Sequence, residues 1–359
     1  PWFLFAVPAG VITDRADRRR LMLRADIART LLSLGIVGVA LSAARLPATG
    51  DSAAGIAALA AFAFFLGIAE VLRDNAAQTA LPAIVAPGDL ERANGQLWSI
   101  EQVMGQFVGP PLAGLMIALA VPLPFGFDAL TFAVSAAFLG AMTLAPRAVP
   151  PMPAGLWRQA KEGMAWLWSV PLILQMALML GVLNLISTLA ITVLVLFSQE
   201  VLGLTAAGHG ILLTAGAAGG VAGGMLCPYI ATRIGARASL RLAMLLFPLP
   251  MAVIWMATSP ALVAVALFVQ MFAALMWNVV TVSLRQRMIP DALLGRVNSL
   301  YRFLGWGLMP VGALLGGAVV SLAEPGLGRE AALRLPYGLS ALAMLGVMLY
   351  GYGSLRLPR

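Results

Sequence analysis

The residues able to do chemistry in this chain are the few charges set inside apolar sequence. Glu70 follows Gly67-Ile68-Ala69, Glu101 follows Trp98-Ser99-Ile100, and Asp26 and Arg29 stand three residues apart in a run rich in Leu, Ala and Ile. Charges at such depth are costly and often functional. A carboxylate in a low-dielectric cavity keeps its proton to a higher pH and can exchange it near neutrality. Glu70 and Glu101 are therefore candidates for carrying a coupling proton. The competing role is a structural ion pair, for Glu70 with Arg73. Asp26–Arg29 reads as an i,i+3 structural pair, and shallow Asp128 as a cap or packing residue. One cysteine (Cys227) and one histidine (His209) leave no disulfide framework, iron–sulfur cluster or structural zinc site. No metal or other cofactor is expected, and His209 reads as a solvated loop residue.

Stepping outward from those side chains, 61% of the 359 residues are hydrophobic and 11% are charged, with a mean hydropathy of +0.92. No water-soluble fold of this length covers its surface with so few charges. The chain reads as an all-α polytopic membrane protein in the lipid bilayer. After an apolar opening, Pro1–Ile12, ten full apolar runs follow at about 21–43, 55–74, 96–120, 125–145, 170–197, 208–230, 238–257, 260–282, 298–322 and 333–353. Each approaches the ~20 residues of a crossing. The runs are too long for strands and do not alternate. Lys161 is the single lysine among 23 basic residues; with abundant Ala and Gly this suggests a GC-rich bacterial source.

Charge orients the runs. Nineteen basic residues lie in one alternate set of breaks, against three, Arg45, Arg329 and Arg334, in the other. The positive-inside rule puts the first set in the cytoplasm, Pro1 on the outer side and the C-terminus inside. The net charge of +8 therefore orients a membrane protein and gives no reason to expect nucleic acid. Between the runs, residues 147–169 combine a proline-rich linker with Leu156–Trp168, an amphipathic helix expected on the cytoplasmic membrane surface. They separate an N-terminal half, 1–146, from a C-terminal half, 170–359. The halves repeat: Pro87–Asn94 resembles Pro290–Asn298, and their Arg-x-Asn ends lie 204 residues apart. A parallel repeat of that length implies six spans per half. The opening run then falls in span 2, so spans 2–12 of twelve are expected here, from a chain lacking its first span.

Gly10-Val11-Ile12-Thr13-Asp14-Arg15-Ala16-Asp17-Arg18-Arg19-Arg20 resembles the signature loop of the major facilitator superfamily, G-x-L-a-D-R-x-G-R-R, between spans 2 and 3. Asp17 replaces the second glycine, a departure similar to the branch of enterobactin exporters and macrolide efflux proteins. Gly10 lets two helices approach, Asp14 can cap a facing helix, and Arg15, Arg18 and Arg19 can pair with acids. The expectation is a cytoplasmic latch. Asp14 faces the N-terminus of span 11 near Asn298, and Arg18 pairs with Asp74 or Glu70. The second-half counterpart, Gly224–Arg237, has Ala231-Thr232 where Asp-Arg would be expected. Gly105-Gln106-Phe107-Val108-Gly109-Pro110-Pro111-Leu112-Ala113-Gly114 resembles the superfamily's antiporter motif; its Gly105, Gly109, Pro110 and Gly114 suggest a smooth, kinked face packed on the other half.

The resemblance implies that spans 1, 4, 7 and 10 line a central cavity. Asn184, Ser187 and Thr188 on span 7, and Gln270 and Trp277 on span 10, become cargo candidates, with Gln102 and Gln106 on span 5. Interhelical hydrogen bonding is their commoner use. As a set they suit an amphiphilic or aromatic cargo better than a sugar or phosphate. The leading expectation is a monomeric, proton-coupled exporter of a small amphiphile, siderophore or drug-like, in the bacterial inner membrane. The rivals are a facilitator or importer of small metabolites and a membrane-embedded lipid- or isoprenoid-modifying enzyme. No acidic or histidine cluster favours the enzyme, and no Gly-x-x-x-x-Gly-Lys-Ser/Thr loop favours an ATP-driven pump.

Overall fold

The computed structural model describes residues 2–43, 52–142 and 156–355. The linker prolines Pro146, Pro150, Pro151 and Pro153, and Arg45, lie outside them. The described residues are helical throughout, with no strand among them. In lipid, a backbone closes its hydrogen bonds within the helix, and these long apolar runs do so.

Among the described residues, fourteen α-helices follow in order. Unit by unit they are α1 (Trp2–Arg15), α2 (Arg18–Ala43), α3 (Ser52–Ala80), α4 (Leu90–Gln102), α5 (Gly109–Leu119), α6 (Leu123–Ala141), α7 (Leu156–Ser169), α8 (Pro171–Leu196), α9 (Ala206–Leu246), α10 (Pro248–Met256), α11 (Pro260–Met288), α12 (Leu294–Trp306), α13 (Met309–Leu327) and α14 (Arg329–Ser354). They make nine stretches long and apolar enough to cross a membrane, and the chain is a multi-pass membrane protein. Ten runs become nine because 208–230 and 238–257 join in one stretch, Ala207–Met256. Its 50 residues would reach about 75 Å as one rod, far beyond a bilayer core of about 30 Å. Gly235 breaks it, at φ 81° and ψ 159°, a conformation closed to residues with a Cβ. The loop expected at 231–237 is thus a single non-helical residue.

The repeat is structural as well as sequential. Pro87–Asp89 and Asp291–Leu293 are short 3₁₀ turns, and each leads into a helix of 13 residues, α4 and α12. Both spans then change geometry midway. Span 5 passes through a π-helical segment, Val103–Val108, before Gly109-Pro110-Pro111, where the expected kink lies. A wide turn suits Pro110, which lacks an N–H and crowds the preceding turn. Span 11 breaks between Trp306 and Met309.

The chain forms two compact units. Unit 1 comprises Pro1–Ala86, Gly109–Ser169 and Gln286–Phe303; unit 2 comprises Pro87–Val108, Val170–Arg285 and Leu304–Arg359. Each takes most of one sequence half and adds a piece of the other, and the pieces contain α4 and residues 294–303 of α12. Sequence halves and compact units are therefore different divisions of the chain. Within unit 1, α2 packs on α3 and α6, and α1 on α3 and α7. Within unit 2, α4 packs on α9, α8 on α13 and α14, and α10 on α14.

Candidate functional site

In unit 1 the end of α1 meets the start of α12. A Cβ on Gly10 would collide with the Gly295 carbonyl and the Ser299 side chain, and one on Gly295 with the Gly10 carbonyl and Asp14. That closeness brings Asp14 onto the first turn of α12, where N–H groups lack helical partners. Asp14 Oδ1 accepts from the Gly295 N–H at 2.7 Å and Oδ2 from the Arg296 N–H at 3.0 Å. The Arg296 Nε also donates to Oδ2 at 3.0 Å. The Asp14 side chain is 3% exposed. Burial pushes its carboxyl above the ordinary value, against the pull of these two N–H groups and the guanidinium. The contact is held against a desolvation cost that opening to water would relieve.

Arg18 departs from expectation. It is buried, donating to the Thr79 carbonyl at 2.7 Å and to Asp291 at 2.8 Å, rather than pairing with Asp74 or Glu70. Thr79 closes α3, five residues beyond Asp74, so the arginine reaches the helix end instead of its flank. Arg19 donates to the Leu139 and Gly140 carbonyls at the end of α6, and Arg15 to Gln159. Asp17 accepts from the Arg20 N–H at 2.8 Å, capping α2. The aspartate that replaces the motif's glycine therefore has a local structural use.

Further along α12, Asn298 donates to Asn75 Oδ1 at 3.1 Å and Gln78 Oε1 at 3.0 Å, and Arg302 lies 3.7 Å from Asp74. Residues 295, 298, 299 and 302 share one helix face, so α12 is fastened along that stripe. Asp26, fully buried, accepts from Arg29 at 3.3 Å and from Ser135 at 2.6 Å, with Arg73 at 3.7 Å. The Asp26–Arg29 pair is present, and Arg29 also lies 3.9 Å over the Phe132 ring. Arg73 pairs with Asp26 and Asp74, not with Glu70. Asp128 is the sixth residue of α6 rather than its cap; the cap position is Pro122.

Unit 2 repeats the crossing with other side chains. A Cβ on Gly224 would strike Ser99 and the Gly95 carbonyl, and one on Gly95 the Gly224 carbonyl and Pro228. Gly224 thus stands as Gly10 does. The residue four positions on is Pro228, which takes the place of Asp14, one turn before the Ala231-Thr232 expected there. The repeated asparagine Asn94 donates to Ser283 at 3.0 Å. Within unit 2, tight packing of α4 on α9 falls at Gly95, Ser99 and Gln102, while a Cβ on Gly105 of the antiporter motif would meet nothing within 4 Å.

The cargo candidates divide. Trp277 is 1% exposed and packs on Phe247 at 6.1 Å between ring centres, within the core of unit 2. Asn184 donates to the Gly305 carbonyl at 2.9 Å, an interhelical bond within unit 2. Thr188, Ser187 and Gln270 are half-buried, Gln102 is half-buried beside Gly220, and Gln106 is exposed. Glu70, in unit 1, and Glu101, in unit 2, are both exposed on their helices. Sequence reasoning missed Arg296, Gln78, Arg302, Gln159 and Glu162. Arg296 was visible in the repeated Arg-x-Asn; the others carried no signal. Among the described residues no group of His, Cys, Asp and Glu could hold a metal.

The arrangement is that of the major facilitator superfamily. Across residues 1–352 the chain matches the family described as transmembrane secretion effector, and it belongs to that family. No curated protein matches it by sequence. It is similar in fold to a bacterial homologue of the iron transporter ferroportin in the outward-facing state, at 18% identity and a TM-score of 0.76, covering 98% of this chain and 87% of that one. The human organic anion transporter MFSD10 (TETRAN) aligns at 17% identity and 0.73, covering 96% and 80%. The transporter FucP in the outward conformation aligns at 11% and 0.72, covering 97% and 86%. The chain is a secondary transporter, not an enzyme.

Proposed function

We propose that this transporter is a proton-coupled exporter of a small amphiphilic molecule in the bacterial cytoplasmic membrane, working by alternating access. The carrying observation is the Asp14 contact. One carboxylate ties the α1 end to the first turn of a helix from the other sequence half, through hydrogen bonds that water can replace. Breaking and remaking it as the sequence halves separate is one step of such a cycle. The family's description as a secretion effector supports export over uptake. The half-buried polar candidates Ser187, Thr188, Gln270 and Gln102, set among apolar residues and without a charge, support an amphiphile. Glu70 and Glu101 are the proton carriers proposed. Glu70 is the better placed, since it lies one turn from Asp74 and Arg73 on α3, where proton loading can alter the hold of Asp74 on Arg302.

The test uses full-length protein in liposomes with an imposed pH gradient and two probes, a macrolide and a catecholate siderophore. Uphill export of either probe, abolished by Glu70→Gln or Glu101→Gln with downhill exchange intact, is the expected result. Asp14→Asn should express normally and impair transport. Export indifferent to the pH gradient, or unchanged in both glutamate variants, removes the coupling assignment.

A further inference from the structure

The helix connecting the two sequence halves is fastened to the Asp14 contact. Within unit 1, α7 buries Gln159, Gly163 and Leu167, every fourth residue along one stripe. Gln159 accepts from Arg15 Nε at 3.0 Å, and Arg15 is the neighbour of Asp14. Glu162 accepts from Arg296 Nη1 at 3.0 Å, while the same guanidinium gives Nε to Asp14 and Nη2 to the Ala292 carbonyl at 2.7 Å. Gly163 lies against Arg296 so closely that a Cβ there would sit 2.9 Å from the arginine Cβ. All three nitrogens of one planar guanidinium are thus engaged, by α1, by α7 and by the 3₁₀ turn that leads into its own helix. A fork held on three sides cannot turn away from Asp14 without breaking a second bond.

We propose that α7 is a working part of the latch. Glu162, Gln159 and Gly163 are positioning residues that hold Arg296 and Arg15 against the α1–α12 contact, so the connector between the sequence halves sets how long that contact stays closed. This rests on the alternating-access reading above. A purely architectural α7, anchored on unit 1 to keep its place, would show the same helix without acting on Asp14.

The experiment reads the contact directly. The N–H groups of Gly295 and Arg296 are held by Asp14, so their exchange with deuterium reports opening. Peptides covering 291–300 are followed by mass spectrometry in full-length protein in nanodiscs, with no cargo or gradient. The variants are Glu162→Asp, Glu162→Gln and Glu162→Lys, with Lys161→Gln, exposed and outside the buried stripe, as the control. Exchange should rise in the order Asp, Gln, Lys. Glu162 is half-exposed, so the Gln variant should exchange about two- to fivefold faster than wild type, and the spread should shrink at high salt. Wild-type exchange in all three variants, or an equal rise in all three regardless of charge and salt, overturns the proposal. The readout needs no transport, so a protein that follows this order yet exports nothing refutes the exporter reading and leaves the α7 assignment standing.

Discussion

At two places in this molecule a lone glycine meets a Gly-x-x-x-Ser pair on a crossing helix. Gly10 faces Gly295 and Ser299 in unit 1, and Gly224 faces Gly95 and Ser99 in unit 2. The backbones approach equally closely, and the next turn decides what the approach does. In unit 1 it presents Asp14 to two N–H groups and a guanidinium; in unit 2 it presents Pro228, which packs on Gly95. One crossing is held by directional, charged bonds that water can replace. At the other, surfaces meet in close contact, beside a long bond from Ser99 to the Val221 carbonyl at 3.4 Å. The repeat preserved the steric fit, and the position of Asp14 in unit 1 is held by Pro228 in unit 2.

The largest effect should come from removing what differs. Asp14→Ala leaves two helix-start N–H groups and Arg296 without their acceptor, so transport should fall about tenfold or more at normal expression. Pro228→Ala should change it by less than about twofold. Comparable losses in the two variants, measured in the same liposomes, would erase the contrast. Next comes what the crossings share. Gly10→Ala and Gly95→Ala each drive a methyl into backbone, which should cost about 1–3 kcal/mol and lower the melting temperature of both proteins in detergent to a similar degree. The asparagines test the likeness further. Asn298→Ala removes bonds to Asn75 and Gln78 on the facing helix, and Asn94→Ala removes one to Ser283 and one to the Leu90 carbonyl, so both should destabilise, each bond being worth about 1 kcal/mol. Smallest is Asn184→Ala. Its bond to Gly305 should be worth about 0.6 kcal/mol, and the KM for either probe should stay within about twofold. A large rise in KM would return Asn184 to the cargo site.

Much of this was legible in the order of residues. Apolar run length is a local property set by the rise per residue, so the spans could be placed with ends within about nine positions. The repeat of Pro87–Asn94 in Pro290–Asn298 was visible in the residues, and the structure gives it as two matching turns and two helices of 13 residues. The Gly10–Arg20 loop carried enough residue types at set spacing to name the superfamily. Only the tertiary structure decided the partners. Arg18 binds Asp291, 273 residues away, rather than Asp74, and Trp277 turns into the core against Phe247. A Cβ on Gly105 would meet nothing within 4 Å, while Gly95 makes the close crossing within unit 2. The reason is physical. In a soluble helix, an apolar stripe against a polar face announces which side turns inward. Lipid is as apolar as the protein interior, so a spanning helix can be apolar all round and its rotation leaves almost no trace in the sequence. Which face of α3, α11 or α12 meets its neighbour, and therefore which charges touch, is settled by packing among helices hundreds of residues apart.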